Sequence, residues 1–132
     1  MQGRPTVLIV EDNPRIRGLM RSLLEADFTV AEASNGVVAL VQAWDARPQV
    51  ILLDLEMPAM TGEEAAPYLR VLSPASRIVA FSSSLDSKPL WADVFADKSD
   101  ALGAVDIVRE LADVASPEPR ALTGSALLRT AS

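Results

Sequence analysis

Unbroken apolar runs alternate along this chain with apolar stripes that recur every three to four residues. Residues 50–53 are Val-Ile-Leu-Leu and stop on Asp54; residues 7–10 are Val-Leu-Ile-Val and stop on Glu11 and Asp12. Runs of this kind suit strands buried on both faces of a parallel sheet, and suit a short buried helix less well. Pro58 disfavours helix at Met57 and cannot donate to a sheet ladder, so the strand carrying Asp54 must end near Leu55. Residues 78–81 and 94–96 give two more apolar strands, and residues 28–33 a more polar one suited to a sheet edge. Between these runs lie the helical stripes. Asn13 caps the clearest, with Pro14 at its first position and Ile16, Leu19, Met20, Leu23 and Leu24 on one face. A second stripe, Val37, Leu40, Val41 and Trp44, follows a turn signal at Asn35-Gly36 and closes before Pro48. A third, Ala65, Leu69 and Leu72, lies in residues 63–72, where Pro67 is tolerable only in the first turn. The last, Leu102, Val105, Val108, Leu111 and Ala112, runs to about residue 115.

Five strands alternating with helical stripes predict an α/β fold, a doubly wound parallel sheet with helices on both faces. Right-handed crossovers bring the C-terminal ends of all strands to one edge. Glu11, Asp12, Asp54, Ser82 and Lys98 each follow or end an apolar run, so they are expected to gather there, at the edge where such sheets bind ligands. Singly, each has a plainer account: Asp54 and Ser82 as turn residues, Lys98 as a solvated lysine, Glu11-Asp12 as a capping pair. Residues 116–132, with Pro117, Pro119 and Gly124, break the pattern and read as a tail after a domain at 1–115. Leu122, Leu127 and Leu128 would allow a short docking segment there. No internal repeat is visible.

A length of 132 residues suits one domain able to bury a core without disulfides. The absence of Cys and His excludes thiol nucleophiles, zinc fingers and serine-histidine triads. What is left are carboxylates, amines, hydroxyls and backbone, which favour a hard, oxygen-preferring cation such as Mg²⁺, or Mn²⁺. A net charge of −6 argues against nucleic acid as a partner. The four apolar residues 7–10 are too short for a signal peptide or membrane span, so no membrane association and a cytoplasmic location are expected. Three carboxylates converging at one edge repel one another unless a cation sits among them. With such an ion bound, Asp54 can act as a nucleophile toward phosphorus, Lys98 can neutralise a phosphoryl oxygen and Ser82 can donate to another.

These residues, in order, resemble the receiver domain of two-component response regulators. The likeness runs from about residue 6 to residue 115. It rests on Glu11-Asp12-Asn13 after the first strand, Asp54-Leu55-Glu56-Met57-Pro58 with Met60, Thr61 and Gly62, Ser82 ending the fourth strand, and Lys98 ending the fifth. The resemblance implies strand order 2-1-3-4-5. It implies that Asp54 accepts phosphate from a histidine kinase or histidine phosphotransfer protein. Mg²⁺ would be held by Asp12, Asp54 and the Glu56 backbone carbonyl, with Glu11 acting through water. Ser82 and Lys98 would read the phosphoryl group, and Phe95 stands at the position of the switch aromatic, without a hydroxyl. Ser82 and Lys98 are 16 positions apart (98 − 82), about one and a half helical turns shorter than the family's usual spacing. The fourth helix is therefore expected to be shortened or absent. Lys98 precedes Ser99 where the family commonly has Pro, so a trans bond is expected.

The resulting expectation is a stand-alone phosphoacceptor receiver, not an enzyme beyond its own phosphorylation and slow dephosphorylation, whose output is contact with a downstream protein. The alternative is an atypical receiver-like binding module that acts independently of phosphorylation. A small-ester phosphatase is disfavoured because Glu56, not Asp, stands two residues after Asp54. The Glu56 side chain is placed to influence phosphate lifetime in either direction.

Overall fold

The computed structural model describes residues 3–84 and 88–112. Its elements in chain order are β1 (Thr6–Val10), α1 (Pro14–Leu24), β2 (Thr29–Ala33), α2 (Gly36–Ala46), β3 (Val50–Asp54), α3 (Gly62–Leu72), β4 (Arg77–Ser82), β5 (Val94–Asp97) and α4 (Ala101–Leu111). The strands form a single parallel sheet in the order β2-β1-β3-β4-β5, the doubly wound arrangement expected. Strand β3 lies between β1 and β4 with a layer of helices on each face, so every one of its residues is buried. That position is what its unbroken apolar run reflects. Strand β2 lies at an edge, which suits its Thr and Glu residues. Alternate side chains feed two cores. Val7, Ile9, Leu52 and Phe81 pack with α1 and α4, while Leu8, Val10, Leu53 and Ile78 pack with α2 and α3.

Local chemistry sets the boundaries. Asn13 Oδ1 accepts from the Arg15 and Ile16 amides, with Pro14 at the first helical position, and α1 begins there as expected. β2 starts one residue later than the predicted 28, because the Phe28 amide donates to Leu24 O (3.0 Å) and closes α1. Asn35-Gly36 is a helix start rather than a free turn: Asn35 Oδ1 accepts from the Val38 amide at 2.9 Å. The predicted inward stripe of α2 is reversed. Gly36, Ala39 and Ala43 face the core, while Val37, Val41 and Trp44 are exposed and Leu40 is half-buried. Size decides this, since a β-carbon on Gly36 would lie 2.7 Å from the Met60 side chain. Pro67 is not in the first turn. A capping box between Thr61 and Glu64 starts α3 at Gly62, which leaves Pro67 inside the helix on its exposed side. Buried Ala65, Ala66 and Leu69 hold the helix across it. In α4, Leu102 is exposed and Ala104 takes the predicted inward place beside Val105 and Val108.

No helix lies between β4 and β5 among the described residues, in line with the short spacing. Arg70 of α3 instead grips this connection, donating to Trp91 O (2.6 Å) and Asp93 Oδ2 (3.0 Å), and Trp91 packs against the α2–α3 core. Asp93 Oδ2 also accepts from the Ile78 amide at 2.8 Å. The Lys98–Ser99 bond is trans. Residues 85–87 of the connection, the expected helix end near 115 and the tail at 116–132 lie outside the described residues. Among the described residues no helix is long and apolar enough to cross a membrane.

Candidate functional site

Three strand ends build the site. The Glu11 amide donates to Ala33 O (3.0 Å), extending the β1–β2 ladder by one residue and carrying the Glu11 side chain into full burial. Its carboxylate is then fixed, with Oε2 accepting from the Asn13 amide at 3.1 Å, and Arg17 Nη1 donates to the Glu11 carbonyl at 2.8 Å. Asp12, the next residue, is exposed. Asp54 is the last residue of β3, fully buried and opposite Phe81 of β4. Beyond it the chain returns tightly: the Gly62 amide donates to Leu55 O (3.2 Å), and a β-carbon at Gly62 would lie 2.2 Å from Asp54 O. Only glycine permits that approach, a packing requirement rather than one of backbone angle.

Lys98 follows β5. Its amide donates to Ser82 O at 3.2 Å, and the turn after it is held by Asp97 Oδ1, which accepts the Ser99 amide and hydroxyl, each at 2.8 Å. Those two hydrogen bonds keep the Asp97 carboxyl below its usual range. The Lys98 ammonium lies 2.9 Å from Glu11 Oε1 and 2.9 Å from Asp54 Oδ1, 5.6 Å above the Phe81 ring. Burial pushes the Glu11 carboxyl up to about 7; hydrogen bonds from Lys98 and Asn13 oppose that rise and the Asp54 charge adds to it. Burial disfavours the Lys98 ammonium, yet its contacts with Glu11 and Asp54 outweigh this and its pKa is raised. Asp54 Oδ1 also accepts from the Glu56 amide at 3.1 Å, whereas the buried Asp54 Oδ2 has no hydrogen-bond partner.

Glu11, Asp12 and Asp54 each offer an oxygen, all within 4.8 Å of one another. An oxygen-only set with an orphaned buried carboxylate oxygen fits a small, hard divalent cation.

The structure thus brings Glu11, Asp12, Asp54 and Lys98 together, with the backbone of Glu56 beside them. Ser82 is at the same edge, buried at the end of β4, but its hydroxyl engages Ser84 rather than Asp54. Ser82 Oγ is 3.2 Å from Ser84 Oγ and accepts from the Ser84 amide at 3.1 Å, and Ser84 Oγ donates to Glu56 Oε1 at 3.3 Å. Phe95 is half-buried in β5, opposite Ala80. Ser84 drew no attention in the sequence because it is one serine in a run of three. The signal available was its spacing of two from Ser82, matching that of Glu56 from Asp54.

The response regulator receiver domain family matches residues 7–108. The nitrate/nitrite response regulator protein NarL of Escherichia coli K12 is 43% identical over 86 residues, which cover 63% of this chain and 40% of that protein. A protein-glutamate methylesterase/protein-glutamine glutaminase of Paramagnetospirillum magneticum is 36% identical over 110 residues, covering 81% of this chain and 29% of that protein. The chain therefore spans 40% or less of the length of these two relatives. Among solved structures, the chemotaxis protein CheY4 of Vibrio cholerae superimposes with a TM-score of 0.68 at 26% identity, covering 80% of this chain and 99% of that one.

Proposed function

The chain belongs to the response regulator receiver domain family of two-component signalling, and from that premise we propose that Asp54 is its phosphoacceptor. The observation that carries this reading is the buried Asp54 carboxylate at the end of β3, with Oδ2 unpartnered, Lys98 Nζ 2.9 Å from Oδ1 and the Glu11 and Asp12 oxygens within 4.8 Å. In the proposed transfer, an Asp54 oxygen attacks the phosphorus of a phosphohistidine. The O–P bond forms as the P–N bond breaks, and the electron pair leaves with the imidazole nitrogen, which takes its proton from solvent. Asp12, Asp54 and the Glu56 carbonyl would hold Mg²⁺ and Glu11 would orient a water on it; once bound, the ion neutralises charge on the phosphoryl oxygens. Lys98 turns its ammonium from the two carboxylates to a phosphoryl oxygen, and Ser82 donates to another. The donor is a histidine kinase or histidine phosphotransfer protein, and output passes by contact to a downstream protein.

Incubation with acetyl phosphate and Mg²⁺, then with a phosphorylated histidine phosphotransfer protein, should add one phosphoryl mass to the intact chain, and none to Asp54→Asn. No adduct from either donor would overturn the reading. One observation favours a second reading, that of a binding module indifferent to phosphate: the Ser82 hydroxyl is engaged by Ser84 rather than presented to Asp54. Partner affinity unchanged by phosphorylation and by Asp54→Asn would support it. A tenfold change, about 1.4 kcal/mol of coupling, would exclude it.

A further inference from the structure

We propose that Ser84 and the Glu56 carboxylate are positioning residues that hold the Ser82 hydroxyl hydrogen away from Asp54. This deepens the reading above, since it rests on Ser82 donating to a phosphoryl group. It follows from a count of hydrogens along three side chains.

A carboxylate has no hydrogen to give, so in the 3.3 Å contact between Ser84 Oγ and Glu56 Oε1 the serine is the donor. Ser84 has one hydroxyl hydrogen, and that contact uses it. In the 3.2 Å contact between the two serine oxygens, Ser82 must therefore donate and Ser84 accept. The Ser84 amide meanwhile donates to Ser82 Oγ at 3.1 Å and fixes the rotamer from the other side. The single hydrogen that Ser82 can offer is committed to Ser84, and Glu56 sets the direction of the whole chain of donors. Ser82 serves a phosphoryl oxygen only after releasing Ser84. The two arms are spaced alike: Glu56 stands two residues beyond Asp54, and Ser84 two beyond Ser82. The chain of bonds thus ties the loop after β3 to the loop after β4 just outside the carboxylate cluster.

The experiment reads the initial rate of phosphorylation from acetyl phosphate with Mg²⁺, together with affinity for beryllofluoride, in the full chain. Ser84→Ala removes the acceptor and should raise the rate about three- to tenfold, the range of one modest hydrogen bond. Ser84→Thr keeps the hydroxyl and should restore the original rate. Glu56→Gln keeps the shape but brings an amide that can donate to Ser84, freeing the serine to donate to Ser82, and should raise the rate in the same direction. In a Ser82→Ala background, Ser84→Ala should have no further effect, which a merely structural role for Ser84 would not produce. Equal rates for the wild-type chain and Ser84→Ala, or an increase that persists without Ser82, would overturn the proposal while leaving Asp54 as phosphoacceptor. No phosphorylation and no beryllofluoride binding by the wild-type chain would instead overturn the Asp54 reading and this one with it.

Discussion

With its ammonium 2.9 Å from both Glu11 Oε1 and Asp54 Oδ1, Lys98 is the cation that lets two buried carboxylates share one sheet edge. Lys98→Met leaves that negative charge unbalanced and should cost about 3–5 kcal/mol of unfolding free energy in metal-free urea titrations. Added Mg²⁺ should then stabilise the variant more than the parent chain, because the ion takes over the missing charge. An equal or smaller Mg²⁺ effect would show that Lys98 does not balance the pair. Two glycines make a contrasting prediction. Gly62→Ala drives a β-carbon to 2.2 Å from Asp54 O, backbone that cannot step aside, and should destabilise by about 3 kcal/mol. Gly18→Ala, in α1 with nothing within 4 Å, should stabilise by about 0.5–1 kcal/mol through helix propensity alone. Thermal melts of the two variants should move in opposite directions.

At the scale of elements, α3 and α2 show what an apolar pattern conveys and what it omits. The Thr61–Glu64 capping box and the apolar positions of α3 are written in the sequence, but they place Pro67 beyond the first turn, where it removes a helix hydrogen bond. Pro67→Ala on that exposed position should raise stability by about 1–3 kcal/mol, read as a higher melting temperature. In α2 hydrophobicity points the wrong way round. Its Val and Trp residues look like a buried stripe, yet the small residues Gly36, Ala39 and Ala43 face inward, and at Gly36 a β-carbon would lie 2.7 Å from the Met60 side chain. Ala43→Leu should therefore cost about 1–3 kcal/mol by overpacking, whereas Val41→Gln should stay within about 0.5 kcal/mol. Volume, set by a neighbour far along the chain, is not visible in a periodicity.

For the molecule as a whole, the parallel sheet was legible because a buried parallel strand must be apolar along its whole length, as residues 50–53 are, and an edge strand need not be, as Glu32 shows. The strand order came from the family resemblance, since apolar runs alone do not rank the central strands. Glu11, Asp12, Asp54 and Lys98 were legible for the same reason: knowing where a strand ends tells which residue arrives at the edge. The direction of the Ser82 hydroxyl was not, since strand position places a backbone and says nothing of where one hydrogen points. If the carboxylate cluster holds Mg²⁺, a hundredfold excess over the dissociation constant should add about 2.7 kcal/mol to the unfolding free energy. Asp12→Asn combined with Asp54→Asn should abolish that gain in melts with and without the ion. The contact at Gly62 has a mechanical consequence. Although residues 55–61 lie between them in the chain, the start of α3 packs directly against the Asp54 carbonyl, so a shift of that carbonyl would press on the end of the helix and tend to tilt it as a rod. Eleven residues make that rod about 16 Å long. A tilt of roughly 5° would sweep its far end through about 1.4 Å. Arg70, near that end, holds Trp91 and Asp93, so the lever's load is the connection between β4 and β5, reached without passing through Ser82.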